Sequence, residues 1–529
     1  MRVLAGGEWR DGFLDAHRGE GEYRVQVLAW RNLERLTDMY AVVPRSPRLV
    51  WNYLREVGPA AVARKVVSRS AERFRNEKFV SVGVGRVLEA GDGRFAAGGA
   101  VCFLAPCHPA CAERVVLPGA LLAPWEGGAG EPGVVLHLPP APPPAERWWR
   151  ALRGWVPDAG VPILPLAAPL LARVRDEAAG APWSEARRLP LPAPSPVAER
   201  RGAPRAPGTR PRAVLFGYGN YAKTLVLPEV APYLDVVAVH EIDPTQMPVA
   251  GGDVPCWDTA PFPRPDEAFD ALLIAGYHHT HAPMAVEALR RGACAVAEKP
   301  VVVDEAQRAA VLRAVREHGE RFFSCFHKRY SPLNETVFDD LAVSPGEPVD
   351  YHCVVFEIPL PELHWYRWPN SRSRLVSNGC HWVDHFLFLN GWADVVRHDL
   401  FVSARGMMNV SLELANGAAF TLALTDHGSR RIGVQEHVEL RANGRTVRID
   451  NSARYEAEGP DRVLRRRRVN KMSSYAAMYS SIGRAVAEGR PGDSLRSIEV
   501  STGAMLALED LLRARLGGRG EEREAVAAR

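Results

Sequence analysis

Residues 213–223 read AVLFGYGNYAK, and this stretch decides the fold. An apolar run ends in glycines and passes into a segment of helical character over 220–230. Gly217, Gly219 and Ala222 stand in a G-x-G-x-x-A spacing. The spacing has a steric basis. The first glycine permits a tight turn, the second lets backbone approach a pyrophosphate, and a small third residue lets helix and strand pack closely. Downstream the alternation continues: VVAVHEI (236–242) and ALLIAGY (271–277) are predicted strands, and 281–291 is a helix. ACAVAEKP (293–300) reads as a strand, 305–318 as a helix and RFFSCFH (321–327) as one more strand. Strands alternating with helices over about 120 residues predict a parallel sheet covered by helices on both faces.

The helix after Gly219 offers free N–H groups to phosphate oxygens. Glu241 closes the second strand, 24 residues after Gly217. A carboxylate there can accept from ribose hydroxyls and repels a 2′-phosphate, so NAD is expected over NADP. A glycine-rich turn that binds nothing is the alternative reading.

Past Ser331 the texture changes. YHCVVFEI, HDLFVSA, NVSLELA, AAFTLALTD, HVELRAN and RTVRID alternate and are rich in β-branched residues, which predicts a mostly antiparallel sheet. A helix around 381–389 interrupts it, two more cover 473–488 and 494–516, and 517–529 is expected to fray. Two proline-rich stretches, 138–145 and 189–212, suit connectors, because proline cannot donate to a backbone ladder. The expected order is 1–137 as one module, 138–210 as connector with short helices at 146–155 and 166–177, 211–330 as the dinucleotide domain, 331–516 as an α/β domain, and a flexible tail.

Composition bounds the rest. A chain of 529 residues, 47% apolar and 24% charged, is globular and holds roughly three or four folding units. Net charge is +4, a balance that gives no reason to expect nucleic acid. Only six of the 66 basic residues are lysine, so each lysine is informative. The eight cysteines are scattered and read as reduced thiols. There is no apolar run of about 18 residues and no signal-like start, so a cytoplasmic protein without a membrane span is expected.

The order GYGNYA, AGYHHTHAPMAVEALRRGACAVAEKP, FHKRYSP and NGCHWVD resembles the Gfo/Idh/MocA oxidoreductases over about residues 211–515. The family marker is a strand ending Glu-Lys-Pro, matched by Glu298, Lys299 and Pro300. The resemblance implies a Rossmann domain followed by an α+β domain whose open sheet carries the substrate. It also implies a homo-oligomer, dimer or tetramer, and a small-molecule substrate that is a sugar, cyclitol or sugar nucleotide. Expected cofactor contacts are Gly217, Tyr218, Gly219, Asn220, Tyr221, Glu241, Gly276, His279, Glu298 and Lys299. Expected substrate contacts are Lys299, Tyr366, Asn378 and His381.

Hydride transfer to nicotinamide from a carbinol needs a group for the hydroxyl proton and one to stabilise the oxygen. Lys299, at a strand's C-terminal end, can polarise a carbonyl, or shed a proton if burial depresses its pKa. A strand-capping lysine paired with Glu298 is the plainer reading. His381 is the candidate proton relay, since imidazole titrates near neutrality; a satisfied helix-terminus histidine is its alternative. Asp384, one turn on, can orient the helix or an imidazole. Relatives carry a glycine run and a carboxylate here, where this chain has Ser371-Arg372-Ser373, Ser377 and Asn378. His279 and His281 read equally as ligand contacts or as a solvated helix start. His364-Trp365-Tyr366-Arg367-Trp368 can stack on a sugar or pack in a core. Arg465–Arg468 can draw a phosphorylated substrate or guard an edge strand.

Residues 77–118 resemble the GroES-like barrel of medium-chain alcohol dehydrogenases, which implies a mostly β, truncated module in front. Cys102, Cys107, His108 and Cys111 lack a familiar zinc spacing, and no metal is expected. Two other functions fit the same residues: an NAD-using hydrolase or epimerase with transient oxidation, and a non-catalytic nucleotide-binding sensor or scaffold.

Overall fold

The computed structural model describes residues 1–5, 7–14, 22–36, 47–60, 62–64, 66, 78–128, 130–131, 133–138, 168–193, 200–201, 210–246, 256–359, 366, 371–428 and 433–527. The helix expected at 146–155, most of the two proline-rich stretches, and residues 364, 365, 367 and 368 lie outside them.

The central sheet has the strand order Arg200–Arg201, Cys256–Asp258, Asp235–His240, Arg212–Phe216, Ala271–Ile274, Cys294–Glu298, Phe322–Cys325. All neighbours are parallel except the first pair. The order reverses between Arg212–Phe216 and Ala271–Ile274, the place where an open α/β sheet leaves a crevice beyond its strand ends. Gly217, Glu241 and Lys299 each directly follow one of these strands, so one edge of the sheet carries all three. The strands are buried on both faces, which is why ALLI reads as an unbroken apolar run. The helix Glu305–His318 starts where Asp304 accepts from Gln307 N at 2.8 Å, and stops at Gly319 with φ 87°.

The second sheet has eight strands, in the order Val395–Val402, Met408–Leu414, Ala419–Thr425, Asp350–Phe356, Gln435–Ala442, Arg445–Asp450, Arg454–Glu458, Val463–Arg468. Only Asp350–Phe356 with Ala419–Thr425 is parallel. One apolar core runs from Val214 and Leu272 through Leu333, Leu375 and Phe386 to Phe420, Leu440 and Leu508. The two sheets therefore share an interior. The helix Ser473–Ala487 returns to cover the other face of the central sheet with Met478, Tyr479 and Ile482. The last helix runs Leu495–Ala527, so the backbone expected to fray past 516 continues as helix.

The front of the chain has its own core around Tyr23, Trp30, Val82 and Phe103. Its sheet runs Leu122–Pro124, Ala100–Pro109, Lys78–Glu89, Glu22–Leu36, Val134–Leu138, Arg187–Pro190, with Arg114–Pro118 beside Glu22–Leu36. Among the described residues its two ends do not pair, so the sheet is open and no closed barrel forms. It touches the central domain where Phe13 N donates to Ile242 O at 3.0 Å. No helix among the described residues is long and apolar enough to cross a membrane.

Candidate active site

The glycine-rich turn follows the steric expectation. Gly217 has φ +93°, and a Cβ on it would stand 2.6 Å from Ala275 O. A Cβ on Gly219 would meet nothing within 4 Å. That open space is the cradle a pyrophosphate needs, and it is the test by which these residues fit NAD. The following turn, Ala222–Val226, is π-helical, a form that recurs at functional sites. Asn220 O accepts from Thr224 Oγ1 at 2.8 Å. Glu241 is buried, and its carboxylate accepts from Tyr218 N at 2.8 Å and from Asp243 N at 3.0 Å. The residue expected at the ribose thus also ties the second strand's end to the turn.

Gly276 lies one residue past Ala271–Ile274, on the same edge. His279 stacks beside Tyr277 at 6.2 Å, and its carbonyl accepts from Gln307 Nε2 at 2.9 Å. His281 is buried against Pro300 O at 2.8 Å and Gly276 O at 3.1 Å, so it is neither a solvated helix start nor open to a ligand.

Lys299 does not pair side chain to side chain with Glu298. Its Nζ donates to Ser377 O at 2.6 Å and to Asn378 Oδ1 at 3.0 Å. Glu298 instead accepts a hydrogen bond from the Tyr479 hydroxyl, whose oxygen lies 3.1 Å from that of Tyr221. Burial alone would depress Lys299, but Tyr366, Cys380, Glu298 and Glu357 outweigh it and hold the amine above its ordinary value. Of the two readings of this amine, the raised pKa favours the ammonium that polarises an oxygen over the amine that sheds a proton. Tyr366 sets its ring 5.7 Å from that nitrogen and 4.7 Å from His278.

His381 lies in the helix Cys380–Leu389, directly after a second π-helical turn, Leu375–Gly379. Its ring is 4.7 Å from that of His327, which stacks on Tyr475 at 3.9 Å. Its Nδ1 is buried without a partner among the described residues. Burial, then Lys299, His327 and Lys328, push its pKa well below the usual value. The relay therefore does not titrate near neutrality, and no carboxylate contributes to its shift. Asp384 faces away, held by Arg329 Nε at 2.8 Å and Nη2 at 2.6 Å and by Ser501.

Several neighbours escaped the sequence reading. Glu357 is buried beside Arg374, whose Nε lies 3.5 Å from its Oε2. Burial raises its pKa to about 7. Lys328 and Glu436 form a buried ion pair at 2.6 Å. Glu357 was legible in part: in YHCVVFEI it falls in phase with the inward Tyr351, Cys353 and Val355. Arg372 has φ 63°, a left-handed backbone that glycine adopts at no steric cost. Arg465, Arg466 and Arg468 face Asp340, Glu456 and Glu56 along an edge strand, the solvated reading of that run. Cys102 and Cys111 are buried thiols, and the Cys107 side chain lies outside the described residues. Among the described residues no three His, Cys, Asp or Glu side chains gather around a metal-sized gap.

Residues 212–326 match the Gfo/Idh/MocA family model, described as an oxidoreductase family with an NAD-binding Rossmann fold. No curated protein matches the chain. Among solved structures, a dehydrogenase from Chromobacterium violaceum is similar at 16% identity and TM-score 0.50, over 60% of this chain and 98% of that one. UDP-N-acetylglucosamine 3-dehydrogenase GnnA from Acidithiobacillus ferrooxidans is similar at 18% identity and TM-score 0.48, over 58% and 98%. The WlbA dehydrogenase from Bordetella pertussis, in complex with NADH and UDP-GlcNAcA, is similar at 16% identity and TM-score 0.46, over 58% and 96%. At such identity the first of these likenesses is one of fold. Over residues 212–326, then, the chain is similar to the NAD-binding Rossmann domain of the Gfo/Idh/MocA oxidoreductases.

Proposed function

We propose that this chain moves a hydride between nicotinamide and a hydroxyl or carbonyl carbon of a sugar, cyclitol or sugar nucleotide. The observation that carries the reading is one convergence. Lys299, at the end of Cys294–Glu298, reaches the carbonyl of Ser377 and the amide of Asn378, one helical turn before His381. Lys299 lies on the edge of the sheet that bears the glycine-rich turn. The backbone of Gly217, Gly219 and Asn220 would hold the pyrophosphate, and Glu241 the adenosine ribose. NAD, when bound, supplies the hydride acceptor. The Lys299 ammonium donates to the substrate oxygen and stabilises the charge that develops on it. The neutral imidazole of His381 takes the hydroxyl proton. Tyr366 offers an aromatic face and Asn378 a carboxamide to the substrate.

The same reading makes residues 1–137 a GroES-like appendage, on the strength of the 77–118 pattern. It makes the chain a cytoplasmic homo-oligomer, with the exposed Val354 and Phe401 on the outer sheet face as the contact surface.

The test is NAD reduction, followed at 340 nm, over UDP-linked sugars, inositols and polyols. Lys299→Ala and His381→Ala should each lower kcat about 100-fold or more. Tight NAD binding with no turnover on any member of the panel would replace this reading with a sensor or scaffold.

A further inference from the structure

The residue before Glu241 is a buried histidine that the dinucleotide reading leaves unused. His240 ends the strand Asp235–His240 and is 1% exposed. Its carbonyl accepts from the N–H of Gly217, the first glycine of the nucleotide turn, at 2.9 Å. Its ring stacks on Phe216, the residue before that glycine, with centroids 4.4 Å apart. Both ring nitrogens meet carboxylates. Nδ1 contacts Asp258, and Nε2 lies 2.7 Å from Glu267 Oε1. Asp258 in turn holds the next residue, because its carbonyl accepts from Glu241 N at 3.0 Å. One imidazole therefore joins the glycine-rich turn, the strand end that carries Glu241, and the segment 256–267.

A neutral imidazole has one N–H and one lone pair, and a lone pair forms no bond to a carboxylate oxygen. Only the doubly protonated ring donates at both ends. The charges around it agree. Asp258 faces it from the strand Cys256–Asp258, and Glu267 and Arg264 from the turn that follows; Arg264 Nη1 is 2.8 Å from Asp258 Oδ2. One guanidinium does not balance two buried carboxylates, and an imidazolium closes the balance. Arg291 turns instead to the carbonyls of Arg264 and Glu267 and pairs with Glu287. The Cys256 thiol beside Arg264 is raised by burial and keeps its proton near neutrality. Phe216 brings no charge, and Glu241 is bound to the backbone of Tyr218 and Asp243. Burial alone would lower the His240 pKa, but the bonds to Asp258 and Glu267 outweigh it and raise it above the ordinary imidazole value.

We propose that His240 is the positioning residue of the cofactor cradle: an imidazolium clamped between Asp258 and Glu267, it fixes Glu241 and the Gly217 turn for the adenosine half of NAD. The proposal deepens the oxidoreductase reading and rests on its assignment of that turn and Glu241 to NAD. A histidine raised in the folded protein holds its clamp below that pKa and loses it as pH rises through it. NAD affinity should therefore fall on the alkaline side.

The experiment is titration calorimetry of the full chain with NAD between about pH 6 and pH 9.5, in buffers of differing ionisation heat. Wild-type affinity should fall about tenfold along an alkaline limb, with proton uptake on binding at its midpoint. E267Q keeps an acceptor for Nε2–H and removes one facing charge, so the midpoint should move about one unit or more toward acid. H240Q removes the titrating ring. It should bind NAD about tenfold more weakly near neutrality and show no limb. A merely structural role would lower stability in both variants without moving the midpoint in E267Q. E267Q with the wild-type midpoint, H240Q with wild-type affinity, or a wild type whose affinity is level across the range overturns the proposal. E267Q leaves the ring in place, so it decides the matter even where H240Q does not fold. On any substrate that reduces NAD, H240Q should raise the KM for NAD by a larger factor than it lowers kcat. NAD binding without turnover counts against the oxidoreductase reading alone, and the midpoints still decide His240. A wild type that binds no NAD at any pH overturns the cofactor assignment, and the proposal falls with it.

Discussion

Two alanines, two positions apart, separate the folding role of the glycine-rich turn from its binding role. Gly217 has φ +93°, and a Cβ there would stand 2.6 Å from Ala275 O and 2.8 Å from Gly276 N. Forcing an L-residue into left-handed backbone costs roughly 1–2 kcal/mol. Displacing a neighbouring strand end adds roughly 1–3 kcal/mol, as overpacking does. Gly217→Ala should therefore cost about 2–5 kcal/mol, and at about 2–4 °C per kcal/mol the Tm of that unit should fall roughly 4–20 °C. Gly219→Ala meets nothing within 4 Å, so stability should stay within about 0.5 kcal/mol. Its methyl group enters the space that a pyrophosphate must share. NAD affinity should drop at least about tenfold, or 1.4 kcal/mol. Differential scanning calorimetry reads the first effect and isothermal titration with NAD the second. A Gly217→Ala protein that melts like the wild type would refute the steric reasoning. A stable Gly219→Ala protein that binds NAD as before would show that the cofactor does not lie against this turn.

Glu241→Ala removes the acceptor for Tyr218 N and Asp243 N together with the expected ribose contact. NAD binding should weaken about tenfold or more, with about 1–3 kcal/mol lost from stability; unchanged affinity in titration calorimetry would remove the ribose assignment. Asp384→Asn leaves the Arg329 guanidinium buried with only Asp493, at 3.0 Å, as a full counter-charge. It should cost about 3 kcal/mol in urea unfolding, and a loss below about 1 kcal/mol would mean that water reaches Arg329.

Much of the fold was readable because its signals are local. The glycine spacing and the unbroken apolar runs each act within one turn or one strand. The strand alternation after Ser331 works the same way, which is why the second sheet was predictable while its one parallel pair was not. That pair depends on which strands meet, and strand order is not written in any single segment. The site was readable only as separate parts. Lys299 and His381 were named from motifs, but their protonation was not readable there, because burial and charge partners belong to the assembled interior.

The amino-acid order by itself determined where backbone must bend tightly, which edge of the parallel sheet bears Gly217, Glu241 and Lys299, and that a nucleotide-binding turn follows Phe216. Those are consequences of sterics and periodicity within a few residues. Only the tertiary structure decided what stands beside Lys299. Ser377 is 78 residues from it and Asn378 is 79, and they meet it because two sheets share one apolar interior. Charges in such an interior are set by neighbours that long loops and strands bring together, and no local pattern along the chain records that distance.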